Sequence, residues 1–130
     1  MRKAKWKKEN VHFSFQEIEA ECQEIYFKTA EETLKRLEKE GPRYKAGNDY
    51  LLDLCGGAFL EFKDKRSAFC KQLKAFNKTR GFEWFHDGYT LEIGHSGRQE
   101  AEINHSAMKA VATYLNETYK ANCYAHCYID

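Results

Sequence analysis

The stretch from Phe13 to Pro42 constrains the fold more than any other. Apolar side chains recur at Ile18, Cys22, Ile25, Tyr26, Ala30, Leu34 and Leu37, the period of an amphipathic helix. Ser14 and Glu17 have the S-x-x-E spacing of a capping box, in which each side chain satisfies a free N–H of the first turn. Phe13 and Ile18 occupy the two hydrophobic-staple positions around that cap. Gly41 and Pro42 supply the stop. The spacing therefore predicts a helix over roughly 15–40, whose apolar stripe must be buried against a second layer.

The remaining elements are shorter. Residues 50–55 and 58–63 are strand-like and are separated by Gly56-Gly57. A two-residue glycine turn makes them a hairpin. That register sets Asp53 opposite Leu60 and Leu52 opposite Glu61, so a single bulged strand is the competing reading. Asp64 caps a second helix over about 65–79, with Phe69, Leu73 and Phe76 on one face and Gly81 as its stop. A second hairpin is expected over 82–93, where Asp87-Gly88 pairs His86 with Tyr89, Trp84 with Leu91 and Phe82 with Ile93. Residues 99–103 read as a further strand, unless Ser96 opens a helix early. From Ser106, the positions Ala107, Val111, Tyr114, Leu115 and Thr118 mark a third helix. Alternation over 123–129 marks a closing strand.

This order predicts an α+β single domain over 1–130: a mostly antiparallel sheet of about four to six strands with three helices packed on it. Hairpins argue against a doubly wound parallel sheet, whose strands need crossover helices. Residues 1–10, without periodicity, are expected to form a flexible basic arm.

At 130 residues and 42% apolar side chains, one core is affordable, and a single proline excludes a disordered linker protein. No apolar run reaches the ~20 residues that span a membrane, and the basic N-terminus precedes no apolar segment of a secretory signal. The expected compartment is the cytoplasm, and no membrane partner is expected.

Five cysteines (Cys22, Cys55, Cys70, Cys123 and Cys127) are an odd number with no C-x-x-C among them, which argues against a disulfide framework or a zinc knuckle. Cys123, His126 and Cys127 cluster locally. On a strand, however, the two sulfurs lie ~13 Å apart and His126 points to the opposite face. No metal is assigned there. Gly56-Gly57 is followed by no Gly-Lys-Ser/Thr, so no nucleotide loop and no cofactor is assigned. Cys55, Cys70, His86, His95, His105 and His126 are the raw material for a thiol or imidazole enzyme, but no motif joins them and no catalytic residue is assigned.

Charge partition is the most informative functional signal. The net charge is +1, from 21 basic and 20 acidic residues. The basic groups nevertheless concentrate in Arg2, Lys3, Lys5, Lys7 and Lys8, and again in Lys63, Lys65, Arg66, Lys71, Lys74, Lys78 and Arg80. Lys71, Lys74 and Lys78 fall at i, i+3 and i+7, one stripe opposite Phe69, Leu73 and Phe76. Acidic groups concentrate in the first helix, with Glu17, Glu21, Glu24, Glu31 and Glu32 foremost. The expected function is a non-catalytic interaction or inhibitor module acting by surface occupancy. Its basic helix and arm would face an anionic or nucleic-acid-associated partner, and its acidic helix a basic surface. Direct nucleic-acid binding and a small Cys/His enzyme are the alternatives.

Overall fold

A computed structural model describes residues 11–41, 44–46, 49–51, 56–81, 89–93, 96 and 100–129. Its elements are α1 (Phe15–Glu40), β1 (Tyr44–Ala46), β2 (Asp49–Leu51), β3 (Gly56–Phe62), α2 (Ala68–Thr79), α3 (Ala101–Tyr119) and β4 (Cys123–Ile129). The basic arm of residues 1–10 lies outside the described residues.

Helix α1 has the predicted span, and Ile18, Cys22, Tyr26, Ala30 and Leu37 of its stripe are buried. Ser14 is its N-cap residue, in extended conformation, but its side chain makes no cap hydrogen bond. The capping box is thus not closed. Ser14 is exposed, so water can serve the first-turn N–H groups in its place. At the other end, Gly41 adopts φ 91°, which only glycine takes without strain, and its N–H donates to the Leu37 carbonyl at 3.0 Å.

Helix α2 begins later than the sequence suggests. Ser67, not Asp64, is the cap: its Oγ accepts from Cys70 N at 3.1 Å. Asp64 Oδ1 instead accepts from Arg66 N at 3.0 Å, closing a turn one step before the helix. Helix α3 starts at Ala101, so 101–103 are helical rather than a further strand.

The sheet is where expectation fails. A sheet of four to six strands is not seen among the described residues, although the α+β class stands. The described residues form two separate two-stranded antiparallel ladders, β1–β2 and β3–β4. The glycine hairpin is replaced by a long-range pair, in which β3 runs from Gly56↔Ile129 to Phe62↔Cys123. Gly56 and Gly57 are strand residues at points of close approach. A Cβ at Gly56 would collide with the Tyr128 carbonyl and crowd Ala101, and one at Gly57 would collide with the Tyr128 ring. The turn of the second expected hairpin lies outside the described residues, and 89–93 carry no strand. Leu91 and Ile93 are nevertheless buried, so the apolar pattern there reports core packing and not a ladder.

An isolated two-strand ribbon is marginal in water. Here α3 supports it, packing against α1 and against both β3 and β4. Buried Asn104 on α3 ties the parts together: Tyr26 Oη of α1 donates to its Oδ1 at 3.1 Å, and its Nδ2 donates to the Gly56 carbonyl at 3.0 Å. Helix α2 joins through aromatics. Phe69 meets Phe13, Phe15 and Phe62 with ring centroids 5.1–5.9 Å apart. Gln72 Oε1 accepts from Phe13 N at 2.9 Å, which fixes the lead-in to α1 against this helix. Buried Asn77 donates to the Thr90 carbonyl, anchoring the 89–93 segment.

Candidate partner-binding face

Helix α2 buries Phe69 and Leu73 and half-buries Phe76, which leaves Lys71, Lys74 and Lys78 exposed along the opposite side. At 1.5 Å rise per residue the row is ~10 Å long. The turn before the helix adds Lys63, Lys65 and Arg66, all exposed. None of these six cations has an ion pair among the described residues. Two of them converge on one aromatic ring: Lys65 Nζ and Lys74 Nζ lie 5.4 and 5.3 Å from the centroid of half-buried Tyr89. Lys63 Nζ lies 5.0 Å from the Tyr124 ring. Each such contact contributes ~0.5–1 kcal/mol at an exposed site and leaves the ammonium its full charge.

Arg80 is exposed as well, but it is already paired. Its Nη1 meets Glu19 Oε2 of α1 at 2.7 Å, and its guanidinium sits 4.8 Å from the Phe76 ring centroid. It holds α2 to α1. Arg2, Lys3, Lys5, Lys7 and Lys8 lie outside the described residues. Glu17, Glu21, Glu24, Glu31 and Glu32 are all exposed on α1. Glu31 pairs with Lys35 one turn on, at 3.3 Å. Near the C-terminus of α1, Arg36 bridges Glu40 at 3.0 Å and Glu102 of α3 at 3.2 Å. The stripe spacing pointed to the lysine row. Tyr89 carried no comparable signal, because its position over α2 depends on the Asn77 anchor.

The thiols and imidazoles divide differently. Burial pushes the Cys22 thiol up to about 12, with Glu21 adding to the effect, and burial pushes Cys123 up to about 12. Cys70 is raised for the same reason. Burial thus keeps all three thiols protonated at neutral pH, and the thiol form is a poor nucleophile. Cys55, His86 and His95 lie outside the described residues. His126 Nε2 is 2.6 Å from Glu61 Oε1, and hydrogen bonds from Tyr124 and then His126 hold the Glu61 carboxyl below its ordinary range. Among the described residues, no group of three or more His, Cys, Asp or Glu side chains is placed to hold a metal ion. No described helix is long and apolar enough to cross a membrane.

An open groove of about 360 Å³ runs between α3 and β4. His105, Lys109 and Thr113 of α3 form one wall; Cys123, Tyr124 and Ala125 form the other. The groove brings His105 and Cys123 to the same site, but burial pushes the thiol there up to about 12. No family profile matches the chain, and no curated protein or solved structure does either.

Proposed function

We propose that this protein is a non-catalytic interaction module that engages an anionic partner by occupancy of the face built from Lys63, Lys65, Arg66, Lys71, Lys74 and Lys78. The observation that carries the reading is the lack of any described carboxylate within ion-pair distance of these six groups, while Arg80 and Arg36 are paired. An ammonium row without internal counter-charges attracts phosphates or carboxylates as point charges, with little demand on their geometry. The exposed glutamates of α1 offer a second surface, of opposite sign, for a basic region of the same assembly.

A second reading, direct binding of single-stranded nucleic acid, is favoured by one specific feature. Two ammonium groups lie over the Tyr89 ring and one over the Tyr124 ring, the combination on which unstacked bases and their phosphates are held.

The test compares binding of a fluorescent single-stranded oligonucleotide and of polyglutamate by the wild type and by the triple variant Lys71→Glu, Lys74→Glu, Lys78→Glu. Binding of either probe that weakens with salt and is lost in the variant supports the anionic-partner reading. Preference for the oligonucleotide favours nucleic acid. Failure of both probes to bind at low salt refutes both readings.

A further inference from the structure

Among the described residues strand β4 has a partner strand on one side only, and the backbone geometry shows which of its groups are left over. In an antiparallel pair, successive residues direct their N–H and C=O alternately toward and away from the partner strand. Lys63 N donates to the Asn122 carbonyl at 3.0 Å, so Asn122 faces β3. By alternation Tyr124, His126 and Tyr128 also face it, while Cys123, Ala125, Cys127 and Ile129 face outward. Cys123 confirms the phase. Its N–H donates to Asn116 Oδ1 at 2.8 Å, and its carbonyl accepts from Asn116 Nδ2 at 2.6 Å. One carboxamide on α3 thus stands where a neighbouring strand would, for a single residue. Beyond it, Ala125, Cys127 and Ile129 have no described partner on that side.

Edges of this kind are normally blunted by lysine, proline or a bulge. Strand β4, Cys-Tyr-Ala-His-Cys-Tyr-Ile, has none of these, and its seven-residue register is unbroken. Tyr128 and Ile129 are 52% and 54% exposed. Beside this edge lies the α3–β4 groove, with Ala125 in one wall. On the α3 wall Lys109 is exposed and His105 half-buried, and neither side chain has an ion pair or hydrogen bond among the described residues.

We infer that an extended acidic segment of a partner protein adds to the outward edge of β4 at Ala125 and Cys127, directing alternate carboxylate side chains into the groove toward Lys109 and His105. Backbone bonds supply the affinity in such strand addition, and the side-chain pocket supplies the selection. The Lys109 ammonium on the rim chooses the acidic segment. This surface adjoins the basic face at Tyr124, but the β4 edge and the α3 wall take no part in the function proposed for that face.

The experiment follows amide hydrogen exchange and NMR shifts of the full chain with an eight-residue peptide of alternating glutamate and valine. Two controls carry lysine in place of glutamate, or N-methyl groups on either the glutamate or the valine amides. The acidic peptide is expected to slow exchange at Ala125 and Cys127 at least tenfold, and the lysine peptide to leave them unchanged. One N-methylated form should bind and the other should not, because a strand offers only one set of its N–H groups to an edge. Lys109→Glu should weaken binding at least fivefold. Ala125→Pro should abolish it while Tyr124, His126 and Tyr128 stay protected, since the Ala125 N–H takes no part in the β3 ladder. Unchanged exchange at millimolar acidic peptide would overturn the inference, as would equal binding of the two N-methylated forms. Protection that rises with protein concentration alone would identify a second copy as the occupant and overturn it equally. The α2 triple charge reversal should leave the peptide effect intact.

Discussion

Helices α1 and α2 both bury an apolar stripe and expose a charged face, yet they manage charge in different ways. Helix α1 mixes its signs: Glu31 answers Lys35, Glu40 answers Arg36, and Glu19 reaches across to Arg80. Helix α2 spans Ala68–Thr79 without an acidic residue, and its three lysines have no described carboxylate in reach. Alternating signs along a face lower the helix's own electrostatic energy by a few tenths of a kcal/mol per pair. A single-sign row forgoes that gain and suffers mild self-repulsion. Its compensation is an unspent field at the surface, available to an outside anion. The same fold therefore contains one helix whose charges are largely satisfied internally near its C-terminus and one whose charges are not.

The strongest way to break this contrast is to reverse the sign of α2. The triple variant Lys71→Glu, Lys74→Glu, Lys78→Glu should reduce affinity for the bound polyanion on the order of 100-fold at low salt, because three counter-ion-releasing contacts become repulsive. All three side chains are exposed, so thermal unfolding should stay close to that of the wild type. Fluorescence titration at two salt concentrations, with a melting curve, checks both statements. An unchanged affinity would remove α2 from the interface.

Tyr89→Leu is expected to have a smaller effect, and it separates the two kinds of anion. If bases stack on this ring, the loss should be about 1–3 kcal/mol, or roughly 5- to 150-fold for the oligonucleotide. Polyglutamate, which has no π-face, should bind within about twofold of the wild type. A fall of equal size for both probes would mean that Tyr89 only positions Lys65 and Lys74.

Arg80 tests the same contrast from the other side. It belongs by sequence to the basic cluster, yet it is paired with Glu19 and set against Phe76. Arg80→Ala should leave binding within about twofold and lower stability by about 1 kcal/mol, since this pair is more sheltered than a fully exposed one. Chemical denaturation beside the titration measures the two effects together. A binding loss without a stability loss would place Arg80 on the interface after all.

What could be read from the chain follows the range of each signal. The α1 stripe and the Lys71, Lys74, Lys78 row are local patterns, complete within a few turns, and both are present as expected. The strand at 123–129 is likewise local. The partner of that strand was not legible, because β3 lies some sixty residues earlier and nothing in its sequence names β4. Gly56-Gly57 misled for a related reason. Glycine marks both a tight turn and a close approach, and only the distant Tyr128 decides between them. The removal of Arg80 from the basic cluster depends on Glu19, 61 positions away. The open edge of β4 is harder still to foresee, since it depends on Asn116 satisfying Cys123 and on no described group satisfying Ala125 on that side.

The most delicate test gives α2 the charge economy of α1. Ala75 is exposed on α2, four residues after Lys71 and three before Lys78. Ala75→Glu would set a carboxylate within reach of both ammonium groups. The i,i+3 pair with Lys78 should return about 0.2–0.5 kcal/mol, and the pair with Lys71 somewhat less, being in the weaker orientation. The loss of alanine's helix propensity costs a similar amount, so the net change in stability should fall within about 0.5 kcal/mol of zero. Affinity for the anionic partner should nevertheless drop about threefold, because part of the field is now answered inside the helix. Ala75→Gln, with the same shape and no charge, should bind like the wild type. If the two variants bind alike, uncompensated charge is not what distinguishes α2 from α1, and the proposed role of its lysine row fails with it.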